Sequence, residues 1–373
     1  MEEPVLKVKY RSKVFKIAFS RCVEFINILS AYFGFGSGPK FFYRSSTPGL
    51  RQKKLLIIAP GILPVPPSGW GAVETLIYES LPSYNEDGFE VWILNSRSYK
   101  DWRTARRETF DLVLCHYDVF AKRARSHFPN TPIIGFSHYG FIGYPEKWHK
   151  SYHRVLKGLS LLDSICVMNN QQAKVIKKYL PNIDVFISSN GTSFNPIVGR
   201  NDDGPYLCLG KVEPRKSQFE LYNKFKASKY SIVFVGNIAD SRVSDLISKD
   251  SLVSEVFVGE KTRVELAKDF HKYKALILLS QGEADALVLY EAQMAGLPVF
   301  VTAEGVGAQN VQLPWVNIIT DRTTPDEIEF VYRKIKADPL EISDYASKKY
   351  SWQTKNSPLL LKINQIIDSR RNK

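Results

Sequence analysis

Glu283 and Glu291, two glutamates separated by seven residues, flank a predicted helix start. An apolar strand is expected to end near Ser280, a loop then carries Glu283, and a helix begins near Leu287. The first N–H groups of a helix, here those of Leu287 and Val288, lack partners within the helix and favour a phosphate. Carboxylates at the two glutamate positions suit sugar hydroxyls, which donate hydrogen bonds to them. The competing interpretation is that the two glutamates are ordinary solvated carboxylates. Their spacing does not distinguish the two interpretations, so the neighbouring motifs must.

A second segment, from Leu209 to Lys216, contains Gly210 and two lysines, Lys211 and Lys216, between a predicted strand and a helix. Cations at such a position offset the charge that builds on a departing diphosphate. Taken alone, the segment is equally consistent with an ordinary basic loop.

A third segment follows the first strand and a proline-rich loop, and it places glycines before a helix. Backbone at glycine can approach a ligand closely, and the helix start can face a phosphate or an acceptor. A dinucleotide-binding fingerprint is excluded, because Glu74 occupies the third glycine position and the second strand ends at Asn95 rather than at an acid. The residues assigned to this acceptor or phosphate loop are Gly69, Trp70, Gly71 and Glu74.

Together these segments resemble the retaining glycosyltransferases of family 4, which have the GT-B fold. The residues that carry the resemblance are Glu283, Glu291, Ala292, Ala295, Gly296, Pro298 and Val299. The resemblance implies that Glu283 contacts the transferred sugar and that Glu291 contacts the ribose of the nucleotide. It also implies that Lys211, in place of the usual Arg, and Lys216 hold the donor diphosphate.

The same resemblance assigns a role to His138, which ends a strand in the segment from Gly135 to Gly140. It places this histidine near the sugar and the acceptor, whereas a lone histidine is otherwise more often structural. Asp285 and Ala286 stand where the family has Phe-Gly, so Asp285 adds a charge beside the sugar. The predicted catalytic residues are Glu283 and His138, and the predicted donor-binding residues are Gly210, Lys211, Lys216, Asp285, Leu287, Val288 and Glu291.

The elements that must position these residues alternate between apolar strands and helices, which predicts an α/β fold of doubly wound parallel sheets. We expect a basic and aromatic arm over 1–52, an acceptor-side Rossmann-like domain over 53–200, a nucleotide-sugar-binding Rossmann-like domain over 201–342, and a helical segment over 343–373 that returns to the first domain. Parallel sheets bind ligands at the carboxyl ends of their strands, so two facing sheets predict one cleft. The strands expected in the second domain are Tyr206–Leu209, Ser231–Val235, Val253–Val258, Ala275–Leu279 and Pro298–Thr302.

The net charge of +13 is concentrated at the start of the chain, where residues 1–54 hold eleven Lys and Arg against three Glu. An apolar stretch from Val14 to Phe33 is interrupted by charges and is not expected to span a bilayer. Either this stretch lies on an anionic membrane surface through residues 1–50, or it is a helix packed on the core with a solvated basic face. The four cysteines have no paired spacing, which indicates reduced thiols in the cytoplasm.

The sequence therefore predicts a hexosyltransferase that moves a sugar, with retention, from a UDP- or GDP-sugar to a glycan, lipid-linked or other hydroxyl acceptor. No metal or other cofactor is expected, since there is no Asp-x-Asp pair and the GT-B resemblance requires none. The expected location is the cytoplasm, peripheral to a membrane if the arm binds lipid. Two alternatives stay open. The first is a non-catalytic nucleotide- or carbohydrate-binding protein, suggested by Asp285 and Ala286. The second is a transferase that acts on nucleic acid, which is less favoured as a partner than a glycan or lipid-linked acceptor.

Overall fold

The structure is a computed structural model that describes residues 41–42, 53–67, 71–309 and 311–371. Except for a two-residue strand at 41–42, the predicted arm over 1–52 lies outside the described residues. Gly69 and Trp70 of the predicted acceptor loop lie outside them as well. The described residues form two β-sheets, each covered by helices, as the alternating pattern predicts.

The first sheet has seven strands in the order β1-β3-β2-β4-β5-β6-β7. Only β1 is antiparallel, to β3, and all other neighbouring strands are parallel. The strands are β1 (Phe41–Phe42), β2 (Lys53–Ile58), β3 (Phe89–Leu94), β4 (Leu112–Cys115), β5 (Ile133–Phe136), β6 (Ser164–Val167) and β7 (Asp184–Ile187). The helices between them are α1 (Ala72–Glu86), α2 (Tyr99–Ala105), α3 (Ala121–His127), α4 (Tyr152–Leu159) and α5 (Asn170–Tyr179).

The second sheet has five parallel strands in the order β12-β11-β10-β8-β9. They are β8 (Tyr206–Leu209), β9 (Ile232–Val235), β10 (Leu276–Leu278), β11 (Val299–Thr302) and β12 (Val316–Ile319). The accompanying helices are α6 (Gln218–Lys226), α7 (Ser241–Lys249), α8 (Val253–Val256), α9 (Arg263–Asp269), α10 (Leu287–Met294) and α11 (Pro325–Tyr332).

Strands covered on both faces must be apolar along their whole length, and β2 shows why the sequence forms such a sheet. Its residues Leu55 to Ile58 are all fully buried, with alternate side chains in two separate apolar clusters on opposite faces. Helix starts are fixed by side-chain caps: Asn169 accepts a hydrogen bond from the N–H of Gln172 at α5, and Thr262 forms a capping box with Glu265 at α9.

The last two helices are α12 (Pro339–Lys349) and α13 (Trp352–Arg371). Although it follows the second sheet, α13 packs on α1 of the first: Leu359, Ile363 and Ile367 are buried in the same apolar cluster as β2 side chains. Asn356 also donates a buried 2.7 Å hydrogen bond to the Ser83 hydroxyl. Among the described helices, none combines the length and apolar character needed to cross a membrane.

One strand predicted in the second sheet was wrong, and one strand was missed. The segment Val253–Val258 forms helix α8 and a single bridge between Phe257 and Phe234, because polar Ser254 and Glu255 interrupt its apolar run and only one side of the turn is buried. Strand β12, which was not predicted, is short: Val316 and Ile319 are buried, Asn317 is half-buried and Ile318 is exposed.

Candidate active site

The loops that follow β5 and β10 touch each other where the carboxyl ends of the two sheets meet. A Cβ built on Gly140 would lie 2.9 Å from the Gly282 carbonyl oxygen, so the two backbones are in direct contact. Asn169 Nδ2 donates to the Ala284 carbonyl at 3.0 Å, and Lys147 Nζ donates to the Gln281 carbonyl at 2.7 Å. The segment around Glu283 is thus held by groups from both sheets, and the predicted cleft is present.

Glu283 lies in this contact region with its side chain 12% exposed. Its Oε1 accepts a hydrogen bond from the Ser280 hydroxyl at 2.9 Å and pairs with Arg215 Nη1 at 3.0 Å. Lys216 Nζ is 3.8 Å from the same oxygen. The carboxylate is therefore oriented by a hydroxyl and paired with two cations. Arg215 is shared with Glu213, whose Oε1 accepts from its Nη2 at 2.8 Å.

The loop after β8 delivers those cations. Gly210 has φ 131°, and a Cβ there would lie 2.6 Å from Lys216 Nζ, so the absence of a side chain lets the ammonium lie over the backbone. Arg215 also donates to the Gly282 carbonyl at 2.5 Å, which joins this loop to the one that carries Glu283. Lys211 is exposed, and its carbonyl accepts a hydrogen bond from Gln218 Nε2 at 2.9 Å.

Sequence reasoning missed Arg215. The available signal was its position between Lys211 and Lys216, but the resemblance directed attention to the lysines.

Helix α10 begins at Leu287, as predicted. Its N-cap is Ala286, and no side chain caps the first turn. No side-chain cap therefore occupies the N–H groups of Leu287 and Val288. Both residues are half-buried and follow Glu283 closely in the sequence. The N–H groups at such a helix start can donate hydrogen bonds to a phosphate oxygen.

Asp285 is buried, and both of its carboxylate oxygens accept hydrogen bonds from the protein. Oδ1 accepts from the Tyr290 hydroxyl at 2.7 Å, and Oδ2 accepts from the N–H of Asn190 at 2.8 Å. Burial raises the pKa of Asp285 to about 6, against the effects of these bonds and of the nearby Lys355. The predicted contact between Asp285 and the nucleotide-sugar donor stays a prediction. The observed hydrogen bonds join Tyr290 of α10 and the segment after β7 to Asp285.

Glu291 lies on α10 and is 5% exposed. Its Oε1 pairs with Arg263 Nη1 at 2.5 Å, and the same guanidinium reaches Glu79 Oε1 of α1 at 2.9 Å. Burial raises the pKa of Glu291, while the charge of Arg263 opposes that shift. The ribose contact predicted for Glu291 is not tested by these bonds. Arg263 and Glu79 were not predicted, since nothing in their local sequence indicates that they meet.

His138 follows β5 and is packed among rings. Its Nε2 lies 3.3 Å from Nδ1 of His116, whose ring stacks on Phe136 with centroids 4.1 Å apart. Burial lowers the pKa of His138 to about 4, so its imidazole is neutral at physiological pH. A neutral ring can orient a hydroxyl but adds no charge to the site.

Of the predicted acceptor loop, Gly71 and Glu74 are described. Gly71 has φ 143° and precedes α1, and a Cβ there would meet Leu63 at 2.9 Å. Glu74 is buried in the first turn of α1, and burial raises its pKa. The proline-rich loop is fixed by Asn95, which accepts from the Gly61 N–H at 2.8 Å and donates to the Leu63 carbonyl at 2.9 Å.

A cavity of about 450 Å³ opens beside Glu283 between the two sheets. Its lining includes residues near the ends of β5, β6 and β7 on one side and the loop after β11 on the other. No cluster of three His, Cys, Asp or Glu that could hold a metal occurs within the described part of the chain.

The part of the chain that contains the second sheet is similar to a known protein family. The model of the family described as glycosyl transferases group 1 matches residues 190–351, which include the loop after β8 and the whole segment from Glu283 to Glu291. No curated protein sequence matches the chain.

Several solved structures share the arrangement of both sheets. AviGT4, a glycosyltransferase involved in avilamycin A biosynthesis, is 15% identical with a TM-score of 0.62 over 85% of this chain and 98% of its own. Sucrose-phosphate synthase from Thermosynechococcus elongatus is 13% identical, with a TM-score of 0.66 over 86% of this chain and 100% of its own. Anabaena HepE, solved with UDP and glucose, is 13% identical, with a TM-score of 0.64 over 84% of this chain and 100% of its own. At these identities the similarity establishes the fold.

Proposed function

From the premise that this chain has the GT-B fold and carries a group 1 glycosyl transferase domain, we propose that it is a retaining hexosyltransferase. It takes a sugar from a nucleotide-sugar donor and transfers it to a hydroxyl of a glycan or lipid-linked acceptor. The observation that carries this proposal is the position of Glu283, which has Arg215 and Lys216 on one side and, on the other, an interdomain cavity whose described lining contains no Lys, Arg or His. A diphosphate leaving group and a sugar hydroxyl need these two different environments.

The donor diphosphate is assigned to the cations and to the start of α10. Arg215 and Lys216 stabilise the negative charge that develops as the sugar–phosphate bond breaks, and the N–H groups of Leu287 and Val288 donate hydrogen bonds to a phosphate oxygen. Gly210 lets Lys216 approach, and Lys211 adds charge at the rim. Because fixed cations offset the diphosphate charge, we propose that no metal ion is required.

The sugar is assigned to Glu283 and His138, with Glu291 on the ribose. For retention, the acceptor oxygen bonds to the anomeric carbon on the face from which the phosphate departs, and its proton passes to the leaving phosphate oxygen. The carboxylate of Glu283 then needs only to orient sugar hydroxyls, consistent with its fixed contacts to Ser280 and Arg215. We propose Asp285 as a neighbour of the donor, and Gly69, Trp70, Gly71 and Glu74 as the acceptor-side loop.

We keep the division into an acceptor-side domain over 53–200, a donor domain over 201–342 and a returning helical segment over 343–373. The strands of the two sheets lie within the first two ranges, and α13 packs on the first domain. UDP is the first nucleotide to test, because the similar HepE was solved with it, and GDP is the second.

A screen of UDP-, GDP- and ADP-sugars tests the proposal, with binding measured as a rise in melting temperature. We expect one nucleotide series to stabilise the chain, because a ligand that binds only the folded state raises its stability. NMR of the product formed with that donor should then show the anomeric configuration of the donor. Inversion would contradict the retaining mechanism, and no stabilisation by any nucleotide sugar would contradict the transferase itself.

The basic arm is proposed to bind an anionic membrane surface, which would bring a lipid-linked acceptor to the cleft. Vesicle flotation of the full chain, with Lys7, Lys9, Arg11 and Lys13 changed to Gln as the variant, tests this. Each cation near an anionic surface contributes about 1 kcal/mol, so the variant should bind phosphatidylserine vesicles far more weakly. Equal flotation of both chains would exclude the arm as the anchor.

A further inference from the structure

Glu79, on α1 of the first domain, lies where the chain passes between the two domains. Its Oε2 accepts the backbone N–H of Ser193, in the segment between β7 and β8, at 2.9 Å. The indole N–H of Trp352, at the start of the returning helix α13, donates to the same oxygen at 3.3 Å. Its Oε1 pairs with Nη2 of Arg263, a residue of the second domain, at 2.9 Å. One carboxylate of the first domain therefore contacts both chain crossings and the second domain.

Arg263 lies between that carboxylate and Glu291 of α10. It is the first residue of α9, and a capping box at Thr262 fixes the start of this helix. Its guanidinium carbon lies 5.0 Å from the ring centroid of the buried Phe194. Nη1 pairs with Glu291 Oε1 at 2.5 Å, while Nη2 pairs with Glu79. The guanidinium therefore divides its nitrogens between carboxylates of different domains.

The second oxygen of Glu291 is left without a protein partner. An arginine often binds both oxygens of one carboxylate, but here Arg263 contacts only Oε1. Oε2 accepts no hydrogen bond from the described residues, although the side chain is only 7% exposed. None of the fully enclosed, unpaired side-chain atoms among the described residues belongs to Glu291, so Oε2 keeps some contact with solvent. Because buried polar groups are nearly always hydrogen-bonded, this oxygen is suited to a donor from a ligand.

The place of Glu291 on α10 fits a hydroxyl of the donor ribose. Glu291 follows Leu287, the first residue of the helix, by four positions. It therefore lies on the same side of α10, about 6 Å further along the axis. The N–H groups at the helix start are assigned to a phosphate oxygen, and in a nucleoside diphosphate the ribose is joined to the adjacent phosphate group. A phosphate at the first turn therefore brings ribose hydroxyls, which are hydrogen-bond donors, towards Glu291.

Stability alone does not account for this arrangement, because the desolvation of a buried ion pair often exceeds the attraction between its charges. The cluster also holds one cation between two carboxylates. Burial raises the pKa of Glu291, Arg263 opposes that shift, and the charge of Glu79 adds to it. Arg263 is thus the group that keeps the Glu291 carboxylate ionised in its buried position.

We infer that Arg263 is a positioning residue for donor recognition: it holds Oε1 of Glu291 so that Oε2 is a fixed, ionised acceptor for a ribose hydroxyl. The inference rests on the proposed function, since it requires a nucleotide at the start of α10. It assigns a role to a side chain that acts through Glu291. It also separates the two arms of the guanidinium, one for ribose recognition and one for the contact with Glu79 between domains.

Arg263→Met in the full-length chain tests this inference. Calorimetry measures the Kd of UDP and of 2′-deoxy-UDP and 3′-deoxy-UDP, and the GDP series replaces them if the wild type binds GDP instead. In wild type, at least one deoxy analogue should bind about 10- to 100-fold more weakly, the loss of one charge-assisted hydrogen bond. In Arg263→Met this preference should fall below about threefold, because an unpaired buried carboxylate takes up a proton or turns away.

Three further variants separate positioning from structure. Arg263→Lys keeps a cation for Glu291 and should restore a preference of about fivefold or more. Glu79→Gln breaks the ion pair between the domains but leaves Arg263 on Glu291, so the preference should stay within about twofold of wild type. Arg154→Met, at an exposed position on α4, is the matched control and should leave it unchanged. If Arg263→Met does not fold, its combination with Glu79→Gln removes the second unpaired carboxylate and should show the same loss.

A wild-type preference for the ribose hydroxyl in folded Arg263→Met would overturn the inference. Equal loss of the preference in Glu79→Gln would overturn it too, because the contact between domains would then control donor recognition. Nucleotide binding by wild type with no preference over either deoxy analogue would overturn the inference and leave the proposed function standing. No binding of UDP or GDP by wild type would instead contradict the proposed function, and the inference with it.

Discussion

At the scale of single residues, the charge around Glu283 depends on Lys216 and Arg215. Lys216 is mostly buried, and its ammonium reaches the site only because Gly210 has no side chain. A cation fixed in this way strengthens the binding of a diphosphate without reorganisation of the loop.

Lys216→Met is therefore expected to raise the Kd for the nucleoside diphosphate about 10- to 100-fold, the loss that corresponds to one charge-assisted hydrogen bond. Calorimetry with UDP and GDP measures it, and Lys249→Met, an exposed lysine on α7, serves as the control. Equal affinities in both variants would remove Lys216 from the donor site.

Asp285 gives a prediction with a defined pH dependence. Its folded-state pKa of about 6 lies above the ordinary value of 3.8, so between these values the folded chain keeps a proton that the unfolded chain releases. The contribution of this group to stability is therefore highest below pH 4, falls as the pH rises to 6, and is level above that. Asn at this position has no such dependence.

Relative to wild type, Asp285→Asn should gain about 2–3 kcal/mol of unfolding free energy between pH 4 and pH 7, as followed by urea unfolding across that range. Parallel profiles would show that Asp285 does not titrate there. Donor affinity in the same variant tests the predicted donor contact, which would be supported by a weakened Kd.

The sequence allowed the glutamates, Lys216 and Gly210 to be predicted because their types and spacing match a family pattern. It did not reveal Arg263 or Glu79, which meet Glu291 from distant parts of the chain. Such pairs are set by the packing of whole helices, and no local pattern encodes them.

At the scale of elements, helix α13 connects the end of the chain to the first sheet. Ile363 is fully buried among first-sheet side chains, while Leu361, two residues earlier, is 63% exposed. Ile363→Ala should lower the free energy of unfolding by about 2–5 kcal/mol, because it leaves a cavity in that cluster.

Leu361→Ala on the same helix is the matched control and should change stability by no more than about 0.5 kcal/mol. Thermal or urea unfolding of the two variants measures the difference. Similar small losses in both would mean that α13 does not stabilise the first sheet.

Strands that are buried along their whole length, such as β8, β10 and β11, were predicted to within a residue, because burial on both faces gives an uninterrupted apolar run. The errors occurred where that signal is weak. In Val253–Val258 a segment of strand-like composition forms helix α8, and in β12 only the first and last of four residues are buried. In both cases tertiary packing decides between states that the local sequence leaves close in energy.

At the scale of the whole molecule, two sheets meet at Glu283. The order of strands and helices predicted two α/β units and a cleft, and the described residues have that architecture. The depth of the cleft was not predictable, since the contact of Gly140 with Gly282 depends on how the two units pack. This contact places the Glu283 carboxylate between the cations of Arg215 and Lys216 and the interdomain cavity.

The most direct test of the central claim is the release of nucleoside diphosphate from the preferred nucleotide sugar, compared between wild type and Glu283→Gln, with the exposed Glu255→Gln as control. We predict turnover by wild type and control, and a loss of about 100-fold or more in Glu283→Gln, because the amide cannot supply the charge that orients the reacting sugar. Turnover in Glu283→Gln equal to that of wild type, or no turnover of any UDP- or GDP-sugar by wild type, would contradict the account.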